Sequence, residues 1–310
     1  MSDFTLARFQ FSIKLLRGGN LPPYKGSCLR GALGHSLRAL ACKDVRPTCD
    51  GCGSADACLY IRLFKPDQGS GKSIPAPYII DPPPLKETRF AKGDEFSFIL
   101  TLVGWAAEYI NLWIEAARIC GEKQGLGTER IPFELIRAAA LPESGDLVVV
   151  YDGCTVIHDA PLPRIYFSQI LQRSAAAPAH AEAAVHLLTP LKFKDQGEVS
   201  GSLTAGLFLQ TLFRRCKSLA HFYQSEDPFN DGFSPDFSKA SMHEQNLRWI
   251  VLEKKSMNHS SAINLGGFVG TFRLANLNPD TAALLRLGEY IHLGKNTVYG
   301  CGKYRIEFIS

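Results

Sequence analysis

Three groups of residues in this 310-residue chain have types and spacings that suit chemistry. The first is His35, within the run SCLRGALGHSLRALAC at 27–42. At about 100° per residue on a helix, its imidazole lies roughly 200° from Leu33 and Leu37 and points away from the leucine stripe. Imidazole ordinarily titrates near neutral pH and moves protons in general acid–base reactions. Arg38, three residues on, shares that surface. Arg38, Arg30, Lys25 or Lys295 has the charge to offset a phosphorane-like transition state. On spacing alone, however, a surface histidine is usually only solvated.

The second group is HLGKNTVYGCGKYRI at 292–306, with Gly294, Gly300 and Gly302 around Lys295 and just ahead of Lys303 and Arg305. Glycines let backbone N–H groups approach a phosphate closely, and lysines add charge without reading bases. A tight turn needing positive φ at several positions fits the same residues. The third group is Cys42, Cys49, Cys52 and Cys58, spaced C-x6-C-x2-C-x5-C, with Pro47, Gly51 and Gly53 supplying turns. Such thiolates suit a structural zinc closed by four sulfurs, an iron–sulfur cluster being the lesser alternative and incidental thiols the bland one.

Two other motifs fail on context. GSGKS at 69–73 has Pro66 where a phosphate-binding loop needs its first glycine, and Ile74, Pro75 and Pro77 follow where a helix must open, so the stretch reads as a linker. His180 and Glu182 form an H-x-E pair without the downstream PCxxC of zinc deaminases.

The elements that must position these groups follow from periodicity. TLARFQFSIKLL mixes apolar and polar positions as a half-buried strand does. The first helix follows with Leu29, Leu33, Leu37 and Leu40 on one stripe and Ser27 placed to cap it. PYIID, DEFSFILTLVG, an amphipathic run at 105–122 and ERIPFELIRAAAL complete the order strand, helix, strand, strand, helix, strand. After a poorly periodic stretch at 152–179, the order repeats: AAVHLLTPLKFK, a helix at 204–224, NLRWIVLEKKS, GGFVGTFRLANL, a helix capped by Asn278 and Pro279, and YGCGKYRIEFI. The expected class is α+β, two tandem ferredoxin-like (RRM-like βαββαβ) domains. The first domain spans 1–145 with a cysteine-rich insert at about 42–64; the second spans 146–310 with the glycine-rich loop at 294–302.

A hydrophobic content of 45% supplies a core for each domain, and the formal net charge of +4 accommodates a polyanion without demanding one. No apolar run is free of charges for long enough to span a membrane, and nine cysteines without a secretory leader argue against a disulfide framework. The expected location is the cytoplasm.

LPPYKGSCLRGALGHSLRALAC with CDGCGSADACLYIRLF, and GGFVGTFRL with LRLGEYIHLGKNTVYGCGKYRI, resemble the cysteine-containing branch of the CRISPR-associated RAMP endoribonucleases that process precursor crRNA. TPLKFKDQG at 189–197 fits the second-half strand. The resemblance implies that the chain binds CRISPR repeat RNA and cleaves it without a metal or other catalytic cofactor. The upstream 2′-hydroxyl attacks, leaving a 2′,3′-cyclic phosphate and a 5′-hydroxyl. His35 matches the family's catalytic histidine, with Tyr24 and Lys25 as weaker partners. Arg30, Arg38, Gly294, Lys295, Gly300, Gly302 and Lys303 are expected to contact RNA, and CRISPR effector-complex subunits are expected partners. The rivals are a non-catalytic RAMP subunit that coats crRNA and an unrelated zinc-stabilised interaction module.

Overall fold

The computed structural model describes residues 3–42, 49–67, 73–84, 86–175, 181–195, 198–229, 232–254 and 263–309. Most of the linker expected at 69–73, the turn residue Pro47 and the ends of two expected strands lie outside them. The chain forms two compact units, one of residues 5–165 and one of residues 166–310 joined by the first few residues.

In the first unit, β1 (Thr5–Leu15) alternates strictly over its second half. Phe9, Phe11, Ile13 and Leu15 are buried, while Gln10, Ser12 and Lys14 face the other side. It is followed by α1 (Gly26–Ala41), α2 (Leu59–Phe64), β2 (Tyr78–Asp81), β3 (Glu95–Val103), α3 (Ile110–Ile119), β4 (Phe133–Ala140) and β5 (Val148–Tyr151). The strands run in the order β2-β3-β1-β4-β5, and every neighbouring pair is antiparallel. Because β5 pairs with β4, the expected boundary at 145/146 falls inside this unit.

The second unit contains α4 (Phe167–Ser174), β6 (Ala181–Leu191), α5 (Ala205–Tyr223), β7 (Ser241–Ile250), β8 (Gly267–Leu277), α6 (Pro279–Ile291) and β9 (Tyr304–Ile309). Its sheet runs β7-β8-β6-β9. In both units, then, the first strand of the βαββαβ unit pairs with the third and fourth, the ferredoxin-like arrangement read from the sequence. Phe208 of α5 packs edge-to-face on Phe272 of β8 and Tyr304 of β9, with centroids 5.4 and 5.3 Å away, and fixes that helix over the sheet.

Some local readings change. Ser27 does not cap α1: it is buried in the first turn, and Lys25 occupies the cap position without a capping side-chain bond. α4 lies inside the stretch read as irregular; its apolar positions Phe167 and Ile170 span one turn only, too little for a periodicity signal between prolines. The strand read from Asn246 begins at Ser241, with a register shift between His243 and Asn246 that breaks the alternation. Asn278, by contrast, caps α6 as expected, its Oδ1 accepting the Thr281 N–H at 2.9 Å.

Candidate functional site

α1 buries Leu29, Leu33 and Leu37 and leaves His35 exposed. The neighbours one turn away on the imidazole's face are Gly31, Ala32, Arg38 and Ala39. Three of these four are small. A Cβ built on Gly31 would meet nothing within 4 Å, so the approach to His35 from the helix N-terminal side is open. Arg38, half-buried, is the cation on that face.

Behind this face the helix is braced by the insert. Gly34 is buried, and a Cβ there would lie 2.3 Å from the Phe64 ring, so glycine is what lets α2 seat against α1. Phe64 stacks on Tyr78 at 5.2 Å, and Tyr78 contacts Trp113 of α3 at 5.0 Å. The Arg30 guanidinium lies over the same Phe64 ring, 4.6 Å from its centroid, which makes Arg30 part of the brace. Tyr60, next to it on α2, has its phenol pushed up by burial and by nearby Cys49, with Arg30 and Arg38 pulling the other way.

Tyr24 is half-buried immediately before the helix. Lys25 corrects the sequence expectation: it is 1% exposed, and its Nζ donates to the Glu87 carbonyl at 2.8 Å and to the Pro22 and Pro23 carbonyls at 3.5 Å. The ammonium also sits 5.3 Å from the Phe90 ring centroid, and burial lowers its pKa. An ammonium committed to backbone carbonyls in this way ties the 22–25 segment to the 87–90 segment and is out of reach of a substrate phosphate.

The cysteine insert consists of successive tight turns, with Cys52 N–H donating to the Cys49 carbonyl and Cys58 N–H to the Ala55 carbonyl, both at 3.2 Å. Cys42, Cys49, Cys52 and Cys58 are all half-buried thiols. Among the described residues, no three histidines, cysteines or carboxylates gather closely enough to hold a metal ion.

In the second unit, the glycine-rich loop joins α6 to β9. Gly294, Asn296, Gly300 and Gly302 have φ of +80°, +66°, +83° and +74°. At Gly302 a Cβ would lie 1.7 Å from the Leu293 carbonyl oxygen, so both its φ and its surroundings require glycine. The backbone donors are largely committed inside the protein. Lys295 N–H bonds the Lys192 carbonyl and Gly302 N–H the Pro190 carbonyl, both at 2.9 Å; Gly300 N–H bonds Thr297 and Cys301 N–H bonds Asn296. Thr189 stitches the loop from β6: its hydroxyl donates to the Gly300 carbonyl and accepts the Lys303 N–H, each at 2.8 Å. These glycines therefore shape the turn against β6, and the group the loop leaves exposed is the Lys295 side chain.

Arg215, not singled out from the sequence, holds the loop's entrance. Its Nε and Nη2 donate to the Ile291 carbonyl at 3.0 and 2.9 Å, and Nε also reaches the His292 carbonyl at 3.0 Å. Burial lowers its pKa to about 10, so the guanidinium stays charged at neutral pH against the negative end of α6. Helical spacing sets Arg215 three residues after the buried Leu212 and four before the buried Leu219, whereas Arg214 falls on the exposed side, a signal in the run LFRRCKSL that the reading of that helix left unused. Gly31 was legible, four residues before His35, but its value lies in space that only coordinates reveal.

The chain is similar to known proteins over both units. A family model described as the AF_1859_N N-terminal domain matches residues 4–162, and the model for the CRISPR-associated endoribonuclease Cas6 matches residues 185–304. An uncharacterised protein of Archaeoglobus fulgidus is 27% identical over 296 residues, covering 93% of each chain. Among solved structures, a partial Cas6-RT-Cas1–Cas2 complex matches 99% of this chain with a TM-score of 0.61 at 14% identity; this chain spans about half (47%) of that one. Cas6 of Thermus thermophilus matches with a TM-score of 0.54 at 14% identity, covering 98% of this chain and 99% of the other. These structural likenesses are likenesses of fold.

Proposed function

From the match of residues 185–304 to the Cas6 family model, we propose that the chain is a metal-independent endoribonuclease that cuts CRISPR repeat RNA to release crRNA. The observation that carries the assignment of the cutting site is the exposed imidazole of His35, held on a braced helix and flanked by small residues. RNA brings its own nucleophile. As the 2′-oxygen bonds to phosphorus it loses its proton, the bond to the 5′-oxygen breaks, and that oxygen takes up a proton. The products are a 2′,3′-cyclic phosphate and a 5′-hydroxyl. His35 performs one of the two transfers, and Arg38 offsets charge on the phosphoryl oxygens. With the nucleophile bound in line, alignment and proton transfer suffice, and no step calls for a metal. Tyr24 is proposed as the second proton-transfer group; Lys295 and Lys303 are proposed phosphate contacts, each supplying a point charge rather than base recognition.

The test is cleavage of the repeat RNA encoded beside the gene, by the wild type and by His35→Ala, during a short incubation in EDTA, with binding measured in parallel. Cutting by the wild type and binding without cutting by the variant support the reading. Equal cutting by both removes His35 from the site, and binding without cutting by both makes the chain a crRNA-coating subunit.

The cysteine insert carries a separate proposal, a structural zinc that Cys42, Cys49, Cys52 and Cys58 close upon when it binds. Its support is the spacing and the half-burial of all four thiols. About one zinc per purified chain, lost with a fall in Tm on prolonged chelation, is the expected result; a metal-free chain with the same Tm removes the site.

A further inference from the structure

At one end of the second unit's sheet, Trp249 of β7, Phe268 of β8 and Leu191 of β6 lie in register on three adjacent strands. Phe268 and Leu191 are buried, but Trp249 is 40% exposed. The two rings meet edge-to-face, with centroids 5.0 Å apart and planes at 87°, so at least one face of the indole is left uncovered by Phe268. Lys192 follows Leu191 directly. Its ammonium donates to the Asn264 carbonyl at 2.6 Å, and Asn296 Nδ2 reaches the same oxygen at 3.3 Å. Lys295, exposed, is fixed beside Lys192 by the bond from its N–H to the Lys192 carbonyl. Two strand spacings, about 10 Å, thus separate the backbone of Trp249 from the strand that leads into this lysine pair.

We propose that Trp249 is a base-stacking platform for single-stranded RNA, with Lys295, which the Lys192 carbonyl positions through its N–H, holding an adjoining phosphate. An open aromatic face beside cations is how single strands are gripped without base reading: the π-face takes any base, and the ammonium groups follow the backbone. The simpler role, a lid over Phe268, needs the edge contact but neither the open face nor Lys295. The proposal rests on the RNA-processing reading, because it supplies that reading's substrate with a contact outside the cutting site. It also gives the glycine-rich loop a purpose in keeping with its closed backbone, which is to set Lys295 beside Lys192.

The experiment uses the full chain carrying His35→Ala, so that RNA stays intact, with Trp249 retained or replaced by Ala or Phe. The probes are the repeat RNA and a single-stranded oligouridine. Trp249→Ala is expected to weaken binding of both roughly 5- to 150-fold, with Trp249→Phe recovering most of the loss. RNA is expected to quench tryptophan emission, and the quench should disappear in Trp249→Phe, which retains Trp105 and Trp113. Equal binding by the Trp and Ala chains with no Trp249-dependent quench overturns the stacking role while leaving the nuclease reading intact. Failure of the Trp249 chain to bind either RNA overturns both. Should Trp249→Ala melt early, the Phe variant and the quench still decide the matter.

Discussion

The same strand order carries two differently built ends. In the first unit the segment entering α1 is locked by the buried Lys25 ammonium, and the helix then presents His35 among residues too small to shield it. In the second unit the segment leaving α6 is locked by its own backbone and by Thr189 and Arg215, and it presents one exposed lysine. In both, charged or polar groups that look available in the sequence are consumed in holding the loop, while His35 at one end and Lys295 at the other stay exposed. Residue type marks the neighbourhood of a site; burial decides which member of the neighbourhood can act.

Breaking the first end should have the largest effect. With His35→Ala, repeat cleavage is expected to fall about 10²- to 10⁴-fold, the usual worth of a positioned proton-transfer group, while repeat affinity and Tm stay near wild type. Single-turnover rates with parallel filter binding check this, and a loss of affinity as large as the loss of rate would make His35 a binding residue instead. At the second end, Gly302→Ala places a methyl against the Leu293 carbonyl at a φ of +74°. The expected cost is about 3 kcal/mol or more of stability, read by urea denaturation. Arg215→Met keeps the packing of the stem but strips the Ile291 and His292 carbonyls of their donor. A loss of about 1–3 kcal/mol is expected, smaller than at Gly302 because water can reach carbonyls more easily than a methyl can be accommodated. Neither second-end change should alter the chemical step at His35 in molecules that remain folded.

Much of this organisation was legible. Alternation in β1 and the leucine stripe of α1 are strong because each buries one face only, and Asn278-Pro279 marked the start of α6 by chemistry that depends on nothing distant. What escaped depended on distant partners. Lys25 reads as a surface cation until Glu87, 62 residues away, is seen to receive it. Arg30 reads as a phosphate ligand, and the Phe64 ring beneath it gives it a bracing role that spacing could not show. The glycines at 294, 300 and 302 suit an anion cradle and a tight turn equally well in the sequence, and the partners of the loop's N–H groups, Pro190 and Lys192 among them, show how the turn is held. His35 was legible because exposure is a local property, fixed by its angle from the leucines of its own helix.

The smallest expected effect sharpens the comparison most directly, because it asks a glycine of the first end the question Gly302 answers at the second. Gly31 lies within α1 with open space where its side chain would be, so Gly31→Ala should stabilise the chain by about 0.5–1 kcal/mol through helix propensity alone. Nothing in the fold requires glycine there. If the open turn before His35 is where the RNA backbone approaches, Gly31→Phe should leave Tm near wild type yet slow cleavage of the repeat, and Gly31→Ala should fall between it and wild type in rate. Thermal melting and single-turnover cleavage on the three chains measure both quantities. Unchanged cleavage by Gly31→Phe would place the RNA on the other side of His35, toward Arg38 and Ala39, and leave Gly31 without a role.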